Sequence, residues 1–172
     1  MSATTTTSVR EIPAPQDARD LSTLSRIDYD DCFLAPVGSA AYENTAEEWA
    51  RAMIEGAPRT TRESLIRGWR MIGLRNGPAD APDRVLGWEI RRNEPDVVLL
   101  GARSWIGMAG ELLFKREPEG LLFATFISQG NPAARLMWAP IGPNHRRIVA
   151  DLLERAAARL GVADSAPVSV AA

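Results

Sequence analysis

Asn144-His-Arg-Arg-Ile-Val-Ala-Asp-Leu-Leu-Glu-Arg-Ala-Ala-Ala-Arg-Leu160 is the stretch whose reading decides the fold. Ile148, Val149, Leu152, Leu153, Ala156 and Leu160 recur at spacings of three and four, which puts them on one stripe of a helix. Arg146, Arg147, Asp151, Glu154, Arg155 and Arg159 fall largely off that stripe, and Gly161 is a reasonable stop. Such a stripe needs an apolar surface to lie on, and the preceding chain supplies one. Val85 to Arg92 and Val97 to Arg103 read as strands joined by the turn Asn93-Glu-Pro-Asp96. Glu111 to Arg116 and Leu121 to Ser128 are joined by Glu117-Pro-Glu-Gly120, and Arg135 to Ala139 reads as a last strand before Pro140.

Upstream, Thr45-Ala-Glu-Glu48 and Thr60-Thr-Arg-Glu63 each match a capping box, Thr at the cap and Glu three residues later. Helical spacing follows each: Trp49, Ala50, Met53 and Ile54 in one case, Leu65, Ile66, Trp69 and Ile72 in the other. Residues 76 to 83 read as a loop. Ile27 to Leu34 reads as the first strand, with Tyr29 and Asp31 on one face and Asp28, Asp30 and Cys32 on the other. Three aspartates favour an edge position. The order is β-α-α-β-β-β-β-β-α, an α+β layer architecture: an antiparallel sheet wrapped around a long C-terminal helix, with two short helices after the first strand. Residues 1–22 are expected as a disordered tail, 23–162 as the domain and 163–172 as a flexible tail.

Composition narrows the function classes. The chain has 172 residues, 45% of them hydrophobic, enough for one well-packed domain. Its formal net charge is -2, with basic and acidic groups intermixed, which argues against nucleic-acid binding. One cysteine and one histidine do not make a zinc site, and no disulfide can form within the chain. A reducing cytoplasm fits that usage. No apolar run approaches the ~18 residues of a membrane span, and Met1 to Ser8 lacks the basic start and apolar stretch of a signal peptide. No cofactor motif is present; Gly101, Gly107 and Gly110 do not precede a helix as a phosphate loop would.

Several stretches together resemble a known superfamily. They are Asp28-Tyr-Asp-Asp-Cys-Phe33, Glu48-Trp-Ala-Arg-Ala-Met53, Gly87-Trp-Glu-Ile90, Ala102-Arg-Ser-Trp105 with Gly110-Glu-Leu112, Ala124-Thr-Phe126, and Trp138 followed by His145-Arg-Arg-Ile-Val149. Their order and spacing, over about residues 27 to 160, resemble the START-related, polyketide-cyclase-like ligand-binding superfamily (SRPBCC, helix-grip fold). More narrowly, they are similar to an actinobacterial branch classed as a domain of unknown function. The resemblance implies a helix-grip fold with an apolar cavity between sheet and closing helix. It implies no settled activity, and fold alone gives none.

The expected ligand is a small apolar or amphipathic molecule held in that cavity. The expected lining is Trp69, Trp88, Trp105, Glu111, Phe114, Phe126, Trp138, His145 and Leu152. Five tryptophans in this length supply either an aromatic lining or core packing in which each indole N–H finds a partner. Trp88 and Trp138 are expected on strand faces toward the closing helix. Glu111, at the head of an apolar strand, is a candidate acid or base if it faces inward; otherwise it is a structural ion pair, with Arg103 as partner. His145 is a base at the pocket mouth or a capping or surface residue. Cys32 reads as a small buried residue, and the three aspartates diverge too far to hold a metal. Rival readings are a cyclase, dehydratase or isomerase on the same fold, and an interaction module without a cavity. The strands 97–100, 112–114 and 121–124 are apolar on both faces. Pairing of the outer face in a homodimer is preferred over extra helix cover as the reason.

Overall fold

A computed structural model describes residues 8–161. Among these residues are seven strands, β1 (Arg10–Glu11), β2 (Tyr29–Ala35), β3 (Arg84–Val85), β4 (Trp88–Glu94), β5 (Val97–Arg103), β6 (Met108–Glu117) and β7 (Gly120–Gln129). They form one antiparallel sheet in the order β1-β2-β7-β6-β5-β4-β3. Helix α1 (Gln16–Arg19) follows β1, α2 (Ala46–Ile54) and α3 (Arg59–Met71) lie between β2 and β3, and α4 (Pro132–Trp138) leads into α5 (Gly142–Leu160). The α+β class holds, and the topology is consistent with a helix-grip fold: the long closing helix packs on the sheet and on α2. No helix among the described residues is long and apolar enough to cross a membrane.

The inner face carries the main core. Leu112 and Phe114 of β6, Phe123 of β7 and Phe33 of β2 point toward α2 and α5, where Trp49, Met53, Val149, Leu152, Leu153 and Ala156 meet them. The predicted stripe on α5 is the buried one. The capping box at Thr45 forms as read: its hydroxyl accepts from the Glu48 amide at 3.2 Å, and Glu48 accepts from the Thr45 amide at 2.7 Å. The second box does not form. Helix α3 starts at Arg59 after Pro58, so Thr60 already lies within the first turn and no side chain caps it. Proline's fixed φ supplies the entry instead.

Two further expectations are corrected. Arg135 to Ala139 is not a strand; it belongs to α4, where Asn131 caps the Ala134 amide at 2.9 Å and Pro132 occupies the first turn. A helical start by Asn then Pro outweighs the β-propensity of a short apolar run. The two buried residues, Ala134 and Trp138, are four apart, as a helix requires.

The second correction concerns the N-terminal segment. Of the expected tail 1–22, the described part is structured. Ile12, Ala14, Leu21 and Leu24 pack, with Ile27 and the fully buried Ala18, on the outer face of the sheet, against Cys32, Leu34, Leu99, Leu113, Leu122, Ala124 and Phe126. The segment pairs with β2 at Arg10 and Glu11, and the Ile12 amide donates to the Cys32 carbonyl at 2.9 Å. Its apolar residues are sparse, but each finds a place on an already apolar sheet face. The two-sided hydrophobicity of the strands is thus covered within one chain, and the observation that favoured a homodimer has an intramolecular explanation. Residues 1–7 and the expected tail 163–172 lie outside the described residues.

Candidate functional site

Where β2 and β7 pass under the start of α5, polar side chains gather on the inner face. Tyr29 and Asp31 share that face of β2, and Thr125 stands opposite Asp31 on β7. His145 descends from the first turn of α5. Its Nε2 lies 3.1 Å from the Thr125 hydroxyl and 3.3 Å from Asp31 Oδ2. The Tyr29 hydroxyl donates to the same Oδ2 at 2.7 Å and accepts from Arg146 Nε at 3.1 Å. Arg146 also pairs with Glu11 at 3.4 Å at the sheet edge. Trp138 closes the cluster from α4, 5.2 Å from the Tyr29 ring and 5.3 Å from the His145 ring.

Electrostatics follow from burial and partners. Burial alone pushes the Asp31 carboxyl up, but His145 and the Tyr29 hydroxyl outweigh it and hold the group below the ordinary carboxylate value, so it is ionised. The Tyr29 phenol is pushed up by burial and by donation to Asp31, and it stays protonated. On the opposite face burial pushes the Cys32 thiol up to about 12, which leaves it inert at neutral pH.

Three buried polar atoms on the inner face lack a hydrogen-bond partner: Asp31 Oδ1, Trp138 Nε1 and Trp88 Nε1. Among the described residues only the Asn76 side-chain amide shares that condition. The contrast with Trp49 is instructive, since its indole N–H reaches the Ala41 carbonyl at 3.0 Å. Trp88 lies over Gly110, where a Cβ would sit 3.3 Å from the Trp88 ring and 3.3 Å from the Ile127 side chain. Ile127 in turn packs with Trp138. Trp88 and Trp138 thus both pack close to Ile127. The inner stretch is sealed about as well as the outer face: Leu112, Ala102 and Ile127 keep 6%, 5% and 5% of their surface, and Val97 on the outer face keeps 7%. Its cover is α3, which has no fully buried residue and leans on the core through Leu65, Ile66 and Trp69. Trp69 meets Trp88 edge to face at 5.5 Å.

The expected lining residues divide accordingly. Trp69, Trp88, Trp138, His145, Phe114 and Leu152 are all on the inner side, although Trp138 arrives from a helix rather than a strand. Phe114 is sealed in the core against Phe123. Phe126 lies on the outer face, and Trp105 is 70% exposed in the β5–β6 turn. Glu111 is also on the outer face, fully buried beneath the N-terminal segment. It accepts from the Ser22 hydroxyl at 2.5 Å, from the Thr23 amide at 3.1 Å and from the Thr23 hydroxyl, and it pairs with Arg91 at 3.1 Å rather than with Arg103. Arg91 reaches it because β4 bulges between Ile90 and Arg92 and because Gly101, its neighbour on β5, has no side chain; a Cβ there would lie 2.1 Å from the guanidinium carbon. Glu111 is a structural clasp.

Two open surface clefts lie elsewhere. One, of about 530 Å³, lies between α2, the start of α3 and the loop Ala79–Pro82. The other, of about 440 Å³, lies where β1 meets β2 and is lined by Glu11, Asp31 and Arg146 among others, at the outer margin of the His145 cluster. No protein-family model matches the chain, and no curated protein sequence does either.

Proposed function

We propose that this chain is a ligand-binding helix-grip domain of the START-related, polyketide-cyclase-like kind, and that it holds a small apolar or amphipathic molecule between the inner sheet face, α3 and the first turns of α5. The observation that carries the reading is the set of buried polar atoms without a hydrogen-bond partner at Trp88, Trp138 and Asp31. A buried indole N–H ordinarily finds a partner, and leaving one unmade costs about 1–3 kcal/mol. A ligand, or water in its absence, would supply the missing partners. Helix α3 is the element that lifts to admit it, because its burial is shallow.

The test is titration with N-phenyl-1-naphthylamine, an uncharged probe that brightens in apolar surroundings. Saturable binding to one site, accompanied by a change in tryptophan emission and weakened by Trp88→Phe, is expected. No saturable signal up to the probe's solubility limit refutes the reading.

A second reading is favoured by one geometry, the His145 ring held by a buried carboxylate and a hydroxyl. That is how a general acid or base is oriented, and it suits a cyclase, dehydratase or isomerase. It predicts that a molecule captured by the protein is altered on incubation and that His145→Gln retains binding but stops conversion. Captured material that stays unchanged leaves binding as the whole activity.

A further inference from the structure

The basic side chains fall into two groups. Most are engaged by a carboxylate or a backbone carbonyl. Arg67, Arg70, Arg75, Arg103, Arg135 and Arg147 are exposed, and none of them has an ion pair or a side-chain hydrogen bond among the described residues. All but Arg147 lie on three segments: the second half of α3 with the residues just after it, the β5–β6 turn, and α4. The same segments carry the exposed large apolar side chains, Met71 at 76%, Trp105 at 70%, Leu136 at 77% and the less exposed Met137. Tyr42, the other such residue among those described, is covered by the Arg116 guanidinium.

Backbone contacts join the three segments. The Arg75 amide donates to the Arg103 carbonyl at 2.8 Å and the Trp105 amide to the Gly73 carbonyl at 3.1 Å, on either side of the bridge between Leu74 and Ser104. Alternate residues of such a ladder share a face, which puts Arg75, Arg103 and Trp105 together. The edge of the Trp105 ring lies against Gly73, where a Cβ would sit 2.5 Å from Nε1. Arg67, Arg70 and Met71 are spaced three and four apart and share one face of α3. At the other side of the turn, the Asn131 side chain donates to the Ile106 carbonyl at 2.8 Å and the Gly130 amide to the Gly107 carbonyl at 2.9 Å. Ile72, Met108, Ile127, Ala134 and Trp138 form one buried cluster beneath all three.

Charge identifies the partner. No Asp or Glu occurs between Glu63 and Asp80, between Asp96 and Glu111, or between Glu119 and Asp151, and those runs contain every segment of the patch. Asp28, which reaches the Gln129 amide, is already held by that amide at 2.7 Å and by Arg26 at 2.7 Å. A chain of net charge -2 thus gathers uncompensated positive charge around its exposed apolar side chains, and the complement is an anionic surface with an apolar layer. Neither cleft includes a patch residue, and the apolar side chains project rather than line a groove. Only one of the four is aromatic, so nucleobases find little to stack on. An indole, aliphatic tips and arginines suit a bilayer, where they meet the interface, the acyl chains and the lipid phosphates respectively.

We propose that this end of the molecule docks on the anionic surface of a phospholipid bilayer. Trp105, Met71 and Leu136 enter the headgroup layer, and Arg70, Arg75, Arg103 and Arg135 engage lipid phosphates. The contact is peripheral, needs no membrane-spanning segment and is independent of the ligand reading above.

The test is flotation of the full chain with vesicles of equimolar phosphatidylglycerol and phosphatidylcholine, against phosphatidylcholine alone. Binding to the anionic vesicles only, reversed by salt, is expected, with tryptophan emission quenched by brominated acyl chains. Arg75→Gln combined with Arg103→Gln should weaken binding on the order of 25-fold, about fivefold for each arginine. Trp105→Ser should remove the quenching, and Leu136→Ser, on a different segment, should also weaken binding. Should Trp105→Ser fold poorly, the arginine pair and Leu136→Ser still decide, since their side chains are exposed and thermal melts should match the parent. Absence of binding, equal binding to both vesicles, or binding that the arginine pair leaves unchanged overturns the proposal. So does tighter binding to polyglutamate or to a single-stranded oligonucleotide than to the vesicles, which would assign the surface to a soluble polyanion.

Discussion

Removing the Glu111 carboxylate should release the N-terminal segment and cost a large share of the protein's stability. Glu111→Ala deletes acceptors for the Ser22 hydroxyl, the Thr23 amide and the Thr23 hydroxyl, and it strands the Arg91 guanidinium. Arg91's side chain is 19% exposed and Glu111's is 0%. The pair is therefore screened on one side only, and its loss counts closer to a buried pair than to a surface one. Breaking a buried pair costs about 3–5 kcal/mol. Partial access of Arg91 to water favours the lower end, so about 3 kcal/mol is expected, read by urea unfolding with tryptophan emission. A cycle with Arg91→Ala separates the pair from the rest. The coupling should lie in the range of about 1–3 kcal/mol, with the double variant little worse than Glu111→Ala alone. Hydrogen exchange should quicken at residues 12–27 before the rest of the sheet opens. A cost under about 0.5 kcal/mol, the size of an ordinary surface substitution, would refute the clasp, as would additive single variants.

Four other outcomes follow from the same geometry. Gly101→Ala should destabilise by about 1–3 kcal/mol, because its Cβ evicts the Arg91 guanidinium from Glu111, and should be close to neutral in an Arg91→Ala background; equal cost in both backgrounds, read by thermal melts, sinks the explanation. Leu152→Ala should cost roughly 2–5 kcal/mol, and a change under about 0.5 kcal/mol would mean that the α5 stripe is misplaced. Asp31's folded-state pKa lies below the unfolded value, so its contribution to stability is complete above the ordinary value of 3.8 and is lost as pH falls below it; acid titration of Asp31→Asn should be the flatter of the two in that window, and identical slopes contradict the assignment. Cys32 should resist a thiol-specific aromatic disulfide in the native protein and react in Glu111→Ala without global unfolding, measured by the absorbance of the released thiolate; equal rates would show that the N-terminal segment does not shield it.

The sequence made the closing helix, both main hairpins and the first capping box readable, because each rests on a local rule: a period, a turn pair, a cap. What escaped it was set by partners distant in the chain. The segment before residue 22 has too few apolar groups to order itself, and only the two-faced strands 97–100, 112–114 and 121–124 hinted that something must cover them. Glu111 stands out in the sequence, but its face stays open there, because its strand is apolar on both sides and alternation gives no vote. The Tyr29–Asp31–Thr125–His145 cluster was half legible. Tyr29 and Asp31 were read onto one face, but nothing local says that Thr125 lies opposite or that α5 sets its only histidine above them. Trp138 reads as a strand residue from its β-prone neighbours alone, whereas Asn131-Pro132 ahead of it starts a helix.

The clasp joins Ser22 to Glu111 across 89 residues of chain, which fixes when it can form. The cover is synthesised well before most of its docking face, since β6 and β7 occupy residues 108–129. At a ribosomal pace of about 5–20 residues per second, the segment waits several seconds for Glu111. Until it docks, the outer sheet face bares Leu99, Leu113, Leu122 and Phe126 together. Closure is thus the slow, long-range step, and the species preceding it is the one that a chaperone, or a neighbouring nascent chain, would meet.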